Sequence, residues 1–197
     1  MLVTRGRHGF FSWFRMVPLT LVAILGLVSF LYSYGPSFLF KTLYPLEYED
    51  FIADSSARHD VDPHLVAAMI NTESNWDEDA ESSAGAVGLM QLMPETARNM
   101  ADWELVDSSV YDPDDLTDPA TNIEYGCAFL EYLFDYYSGS TDEVVAAYNA
   151  GMGNVDEWVQ EESVLHNAIT FPETQAYLAR VTMAQTRYEE LYPTAFQ

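Results

Sequence analysis

The apolar positions of this chain change character along its length. From Met16 to Phe40 they form a run of 25 residues without a charge. Beyond Tyr44 they recur at intervals of three and four, the spacing that lines one face of an α-helix. Pro45 and the acidic Glu47, Glu49 and Asp50 open a first helix, with Phe51 and Ile52 inward and His59 near its end. Asp62 caps a second helix whose first position is Pro63, since proline lacks only an amide hydrogen that would be unbonded there. Leu65, Ala68, Met69 and Thr72 carry its apolar face, and Glu73 follows one turn beyond Met69. A short helix after Pro94 holds Thr96, Ala97 and Met100. Asp118 caps a long one starting at Pro119, with Ile123, Gly126, Phe129, Leu130, Leu133 and Tyr137 as the central core element. Ser140 and Glu143 have the spacing of a capping box for the next helix, which Gly151 and Gly153 stop. Pro172 begins the last, containing Glu173, Thr174, Tyr177, Val181 and Tyr188. Strand-like alternation is scarce and no repeat or second domain is visible, so the expected fold class is mainly α.

Charge sharpens the division. Arg5, Arg7, Arg15 and Lys41 are the only charged residues in the first 41 positions, whereas the remaining 156 hold four basic against 31 acidic residues, a formal charge of −27. At about 1.5 Å per residue the uncharged run is long enough to cross a bilayer core of about 30 Å. No A-x-A-like cleavage site follows it, so it reads as a retained transmembrane helix rather than a signal peptide. The arginines before it place the N-terminus in the cytoplasm and the acidic domain outside. We expect a cytoplasmic tail over residues 1–15, a transmembrane helix over 16–38, a linker over 39–46, an acidic helical domain over 47–192 and a tail over 193–197. An acidic domain is a poor match for phosphate backbones, so no nucleic acid is expected as a partner. Hydrophobic residues make up 49% of the chain, which excludes a disordered one. Cys127 is the only cysteine, so no internal disulfide forms and the residue reads as a small buried helix position. The aspartates of YDPDDLTDP invite a calcium site, but Pro113 interrupts the ligand alternation and the loop glycine and terminal glutamate are missing. No metal or cofactor is expected.

The chemistry concentrates between Glu73 and Pro94, ESNWDEDAESSAGAVGLMQLMP. A glutamate at the end of an apolar helix either points to water or lies beside the buried face. In the second case desolvation and the negative end of the helix dipole both raise its pKa, the property a general acid needs. The glycine-spaced loop that follows, with Gly85 and Gly88, permits close approach of a ligand to the main chain, and Leu89, Met90, Leu92 and Met93 supply apolar walls around Gln91.

Glu73-Ser74, Trp76, Ala80, Ser82 and GAVGLMQLMPETA from Gly85 to Ala97 together resemble the lytic transglycosylase family of the soluble (SLT) type, related to goose-type lysozyme. NIEYG from Asn122 to Gly126 and AAYNAGMGNV from Ala146 to Val155 resemble further motifs of that family. The resemblance runs from about Tyr48 to Tyr192. Its four blocks, Glu73-Ser74, Gly88 to Gln91, Ala147 to Gly151 and Glu173 to Tyr177, come in the family's order.

The resemblance implies a lysozyme-like fold and a peptidoglycan lytic transglycosylase, which the uncharged run would anchor in the membrane. Glu73 is then the sole catalytic acid/base, and Ser82, Gln91, Met93, Tyr148, Asn149, Glu173 and Tyr177 line a sugar cleft. The implied substrate is the glycan strand of peptidoglycan, cut between N-acetylmuramic acid and N-acetylglucosamine with formation of a 1,6-anhydro end. With the anchor read above, the expected location is the bacterial cell membrane, single-pass, with the domain outside, and a cell-wall synthesis or division complex is an expected partner. The chain departs from the family's pattern at Met152 in place of proline, Gln175 in place of arginine and Asp77-Glu78 in place of Asn-Pro. A lysozyme-like hydrolase and a non-catalytic peptidoglycan-binding scaffold are the rival readings.

Overall fold

The computed structural model describes residues 18, 20–26, 28–30, 40–161 and 165–196, and only the backbone of Glu161, His166 and Asn167. The chain divides into two compact units, Met1–Leu43 and Tyr44–Gln197. In the first, residues 18, 20–26, 28–30 and 40–43 are helical. The tail expected over 1–15 and most of the span expected over 16–38 lie outside the described residues. Among the described residues no helix is long and apolar enough to cross a membrane.

The second unit is built from α1 (Glu49–Arg58), α2 (Pro63–Glu73), α3 (Pro94–Asp102), α4 (Pro119–Tyr136), α5 (Thr141–Ala150), α6 (Met152–Glu161), α7 (Leu165–Ala168) and α8 (Pro172–Leu191). Proline stands at the first position of α2, α3, α4 and α8. The two aspartate caps form as the sequence suggests. Asp62 accepts from the His64 amide at 2.9 Å and Asp118 from the Thr121 amide at 2.9 Å. Ser140 does stand at the N-cap of α5, but its hydroxyl makes no capping bond. There the acidic first turn, Asp142 and Glu143, meets the positive end of the helix instead. Phe51 also departs from expectation: it is 43% exposed while Ile52 is fully buried. Neighbours on a helix point about 100° apart; here Ile52 takes the core direction and Phe51 stacks on Tyr48 instead, the ring centroids 6.4 Å apart.

α2 is buried on all sides, from Leu65 to Ile70 without a break, and its most extensive partner is α8. The long α4 is buried from Thr121 to Ala128 and packs on α1, α3 and α5. A side-chain cluster ties α1 to α4. Ser55 donates to Glu124 at 2.5 Å, Arg58 pairs with it at 2.6 Å, and His59 bridges Glu124 and Glu131 at 3.2 and 2.7 Å. Burial alone would push the Glu124 carboxyl upward, but the bonds from His59, Arg58 and Ser55 outweigh it and hold the group down at about 2.

The loop from Ser74 to Met93 has no strand, only two antiparallel bridges, Glu81 to Val87 and Val87 to Leu92. It is held from below by Asn122 of α4, a fully buried side chain. The Asn122 amide oxygen accepts from the Met90 N–H at 2.7 Å, and its nitrogen donates to the carbonyls of Val87 at 2.9 Å and Leu116 at 2.8 Å. Two glycines make this approach feasible. A Cβ on Gly88, where φ is +78°, would lie 2.3 Å from both the Asn122 amide and the Leu116 carbonyl, and a Cβ on Gly126 would lie 2.1 Å from the Met90 sulfur. Trp76 is buried behind the loop and donates to the Tyr188 hydroxyl at 3.0 Å, which in turn donates to the Pro45 carbonyl at 2.8 Å. The first residues of the domain, the loop and α8 are thereby joined.

Candidate active site

Glu73 is the last residue of α2, where helical bonding gives way to the loop through Ser74, and left-handed backbone at Asn75 and Trp76 turns the chain sharply. The half-buried Glu73 side chain points toward α8. There the hydroxyl of Tyr177, itself buried, donates to Glu73 Oε1 at 2.5 Å and lies 3.5 Å from the sulfur of Met69. Burial is the dominant influence and pushes the Glu73 carboxyl up to about 7, against the Tyr177 bond and the positive charge of Arg180, which pull it down. Among the described residues no carboxylate acts on the Glu73 carboxyl.

The cleft side of α5 supplies Tyr148. Its hydroxyl donates to the Met90 carbonyl at 2.8 Å, so it spans from α5 to the loop, and its ring lies 5.3 Å from that of Phe129. Burial, then the charge on nearby Glu73, raises the Tyr148 phenol well above its ordinary range. The Tyr177 phenol is raised in the same way. Both are therefore neutral hydrogen-bond donors at any physiological pH, and Glu73 is the group in this cluster that titrates.

The other residues expected in the cleft have different surroundings. The Asn149 side-chain oxygen accepts from the Thr174 hydroxyl at 2.9 Å, which ties the end of α5 to the start of α8. Ser82 braces a turn: its hydroxyl accepts from the Ala86 amide at 3.0 Å. Gln91, with φ +49°, uses its side-chain nitrogen within the loop, donating to the carbonyls of Ala80 and Gly88 at 3.0 Å each. Met93, 42% exposed at the N-cap of α3, and Glu173, exposed in the first turn of α8, present their side chains to solvent. The structure thus brings Tyr177 and Tyr148 to Glu73, gives Ser82 and Gln91 a bracing role in the loop, and does not bring Glu173 to the carboxyl. Among the described residues no group of three or more His, Cys, Asp or Glu is arranged to hold a metal ion.

Helix order, the Glu73 and Tyr177 pair and the braced loop can be compared with known proteins. A family model described as the transglycosylase SLT domain matches residues 50–170. The chain belongs to the transglycosylase SLT domain family. The soluble lytic murein transglycosylase of Escherichia coli K12 is 30% identical to this SLT-domain chain over 151 residues, 74% of the chain and 23% of that relative. The Salmonella typhimurium protein of the same description gives the same figures. Among solved structures, the 70 kDa soluble lytic transglycosylase of Escherichia coli superposes with a TM-score of 0.72 at 29% identity, covering 77% of this chain and 25% of that one, and a complex with bulgecin A gives the same values. An inactive Pseudomonas aeruginosa lytic transglycosylase mutant with glutamate changed to glutamine gives a TM-score of 0.69 at 28% identity, covering 75% and 24%. The chain spans about a quarter of the length of the curated relatives it matches.

Asn122 and Arg180 take part in this site without having been singled out for it by the sequence. The signals were present: an amide at the start of a long, largely apolar helix, within the NIEYG block, and one of only four arginines in the acidic part of the chain.

The raised Glu73 carboxyl has a direct thermodynamic consequence. An unfolded glutamate ionises near 4.5 and the folded one near 7, so the folded state holds the proton more tightly. The stability this contributes is complete below pH 4.5 and is lost as pH rises toward 7. Glu73→Gln removes that dependence. Its melting temperature relative to wild type should climb between pH 4.5 and 7, by roughly several degrees, and level off above. Thermal unfolding of both proteins from pH 4 to 8 checks this; a constant difference would mean that Glu73 titrates normally.

Proposed function

We propose that this chain is a peptidoglycan lytic transglycosylase in which Glu73 acts first as acid and then as base. The observation that carries the reading is a carboxyl that burial keeps protonated near neutral pH, bonded to a neutral phenol, with no second carboxylate acting on it. Most glycosidases use two carboxylates, one as acid and one as base or nucleophile. With one, the substrate has to supply the remaining groups.

In the first step Glu73 protonates the glycosidic oxygen between N-acetylmuramic acid and N-acetylglucosamine. The bond from C1 of the muramic acid to that oxygen breaks, and the substrate's acetamido group stabilises the developing cation. Tyr177 stays bonded to Glu73 Oε1 and steadies the carboxylate left behind. In the second step the carboxylate removes the proton from the muramic acid C6 hydroxyl, whose oxygen closes onto C1. Glu73 is restored to its acid form, a 1,6-anhydro end is made, and water is not consumed. A pKa near the working pH suits both halves, because the group must give a proton and then take one. Support also comes from the solved relative whose inactive form carries a glutamate-to-glutamine change.

We further propose that the uncharged run over 16–38 anchors the domain in the membrane, N-terminus inside, next to the machinery of wall synthesis. Arg5, Arg7 and Arg15 before the run support that orientation.

Mass spectrometry of muropeptides released from purified glycan strands tests the first proposal. Wild type should release 1,6-anhydro ends, and Glu73→Gln should lose on the order of a hundredfold or more in rate. Hydrated reducing ends would make it a hydrolase, and release of nothing by a folded wild-type protein would leave a binding domain. For the anchor, protease added to intact spheroplasts should digest the chain from Glu47 onward. Digestion only after permeabilisation would reverse the orientation, and a mature chain beginning after residue 30 that washes free of membranes would remove the anchor.

A further inference from the structure

The acidic part of the chain contains four arginines, and three have carboxylate partners. Arg58 pairs with Glu124 at 2.6 Å, Arg98 with Asp114 at 2.7 Å and Arg187 with Glu190 at 2.6 Å. Arg180 makes no ion pair with any carboxylate among the described residues, although 31 acidic residues are available in this part of the chain. Instead its guanidinium lies over the ring of Tyr177, 5.9 Å from the centroid. The two residues are three apart in α8, the spacing that puts side chains on one helix face. Tyr177 in turn holds Glu73 Oε1 at 2.5 Å. The result is a line of three groups, cation, phenol and carboxyl, that ends on the proposed proton donor.

We propose that Arg180 is a positioning residue for the reaction, acting through Tyr177: the guanidinium fixes the phenol and stabilises the carboxylate that Glu73 becomes once it has given up its proton. This rests on the reading of Glu73 as acid and base. The physical argument has two parts. A cation over an aromatic face is attracted to the ring and restricts its motion, which keeps the Tyr177 hydroxyl aimed at Glu73. The same positive charge favours the ionised carboxyl directly, in a site where burial opposes ionisation. Burial alone would make Glu73 hold its proton too firmly to release it to a glycosidic oxygen; Arg180 offsets part of that.

Among the described residues Tyr177 and Arg180 from α8 act on Glu73, and the Tyr148 phenol from α5 is near enough to feel the charge on Glu73. Both phenols stay neutral across the working range, so Arg180 is the fixed charge among them. It is also exposed, which predicts two properties. Its substitution should leave the fold nearly as stable as before, and its influence should fade as salt screens it.

The test uses the full chain with Arg180→Gln and Arg180→Lys. The effect of Glu73→Gln on melting temperature, followed against pH in each background, reports the titration of Glu73 without any assay of activity. The Glu73 midpoint in the folded state, read where that effect levels off, should move up by about half a pH unit or more in Arg180→Gln, stay close to wild type in Arg180→Lys, and show a smaller difference between backgrounds at 1 M salt. In turnover of glycan strands, Arg180→Gln should lower kcat with little change in KM and carry the alkaline limb of the rate profile upward by the same amount. An unmoved midpoint in Arg180→Gln while wild type releases anhydro ends would overturn the proposal for Arg180 alone. A moved midpoint with no anhydro product from wild type would overturn the transglycosylase reading, and with it the catalytic meaning of a coupling that still stands. Equal behaviour of the glutamine and lysine variants would also overturn the proposal, since the charge would then not be what acts.

Discussion

Packing of α2 against α8 removes water from the Glu73 carboxyl, and the rest of the site is arranged around that desolvation. α2 is buried on every side from Leu65 to Ile70, so its last turn emerges from the core with Glu73 still partly enclosed. A carboxyl there is kept protonated by its surroundings. The Tyr177 hydroxyl gives it one hydrogen bond, enough to orient the group and too little to cancel the effect of burial. The loop that follows Glu73 is clamped by Asn122 from α4 and stitched by Gln91 to its own carbonyls.

Glu124 is an instructive opposite. It too lies on a helix and is buried, more completely than Glu73, yet it is held down at about 2. The difference is in the donors: Glu124 receives bonds from Ser55, Arg58 and His59, while Glu73 receives one from Tyr177. Of two glutamates withdrawn from water, one is therefore a structural anion and the other a carboxyl held protonated, because of their partners. The anion fastens α1 to α4, the helix from which Asn122 supports the loop, so the two carboxyls are linked through the fold as well as contrasted by it.

Much of this was legible along the chain. Proline after an extended residue marked the starts of four helices, and the aspartates at 62 and 118 formed the caps they promised. Glu73 stood where an apolar face met a glycine-spaced loop, and Tyr177 stood in a matching block. What was hidden depended on contacts between distant segments. Gln91 looked like a residue facing ligand, but its amide is spent on carbonyls at Ala80 and Gly88, because a loop without strands leaves backbone oxygens that need donors. Asn122 stood in the NIEYG block with no sign of what it would hold, and its three bonds reach residues up to 35 positions away. Arg180 became distinctive only once the other three arginines of the acidic part of the chain were seen to be paired.

The central claim, that burial makes Glu73 a proton donor near neutral pH, is tested most directly by titrating that carboxyl. Carbon-13 NMR of the protein labelled at the glutamate side-chain carboxyl carbons, with Glu73 assigned by its loss in Glu73→Gln, should show the Glu73 resonance moving with a midpoint near 7. A Glu73 midpoint near the ordinary glutamate value of about 4.3 would contradict the account.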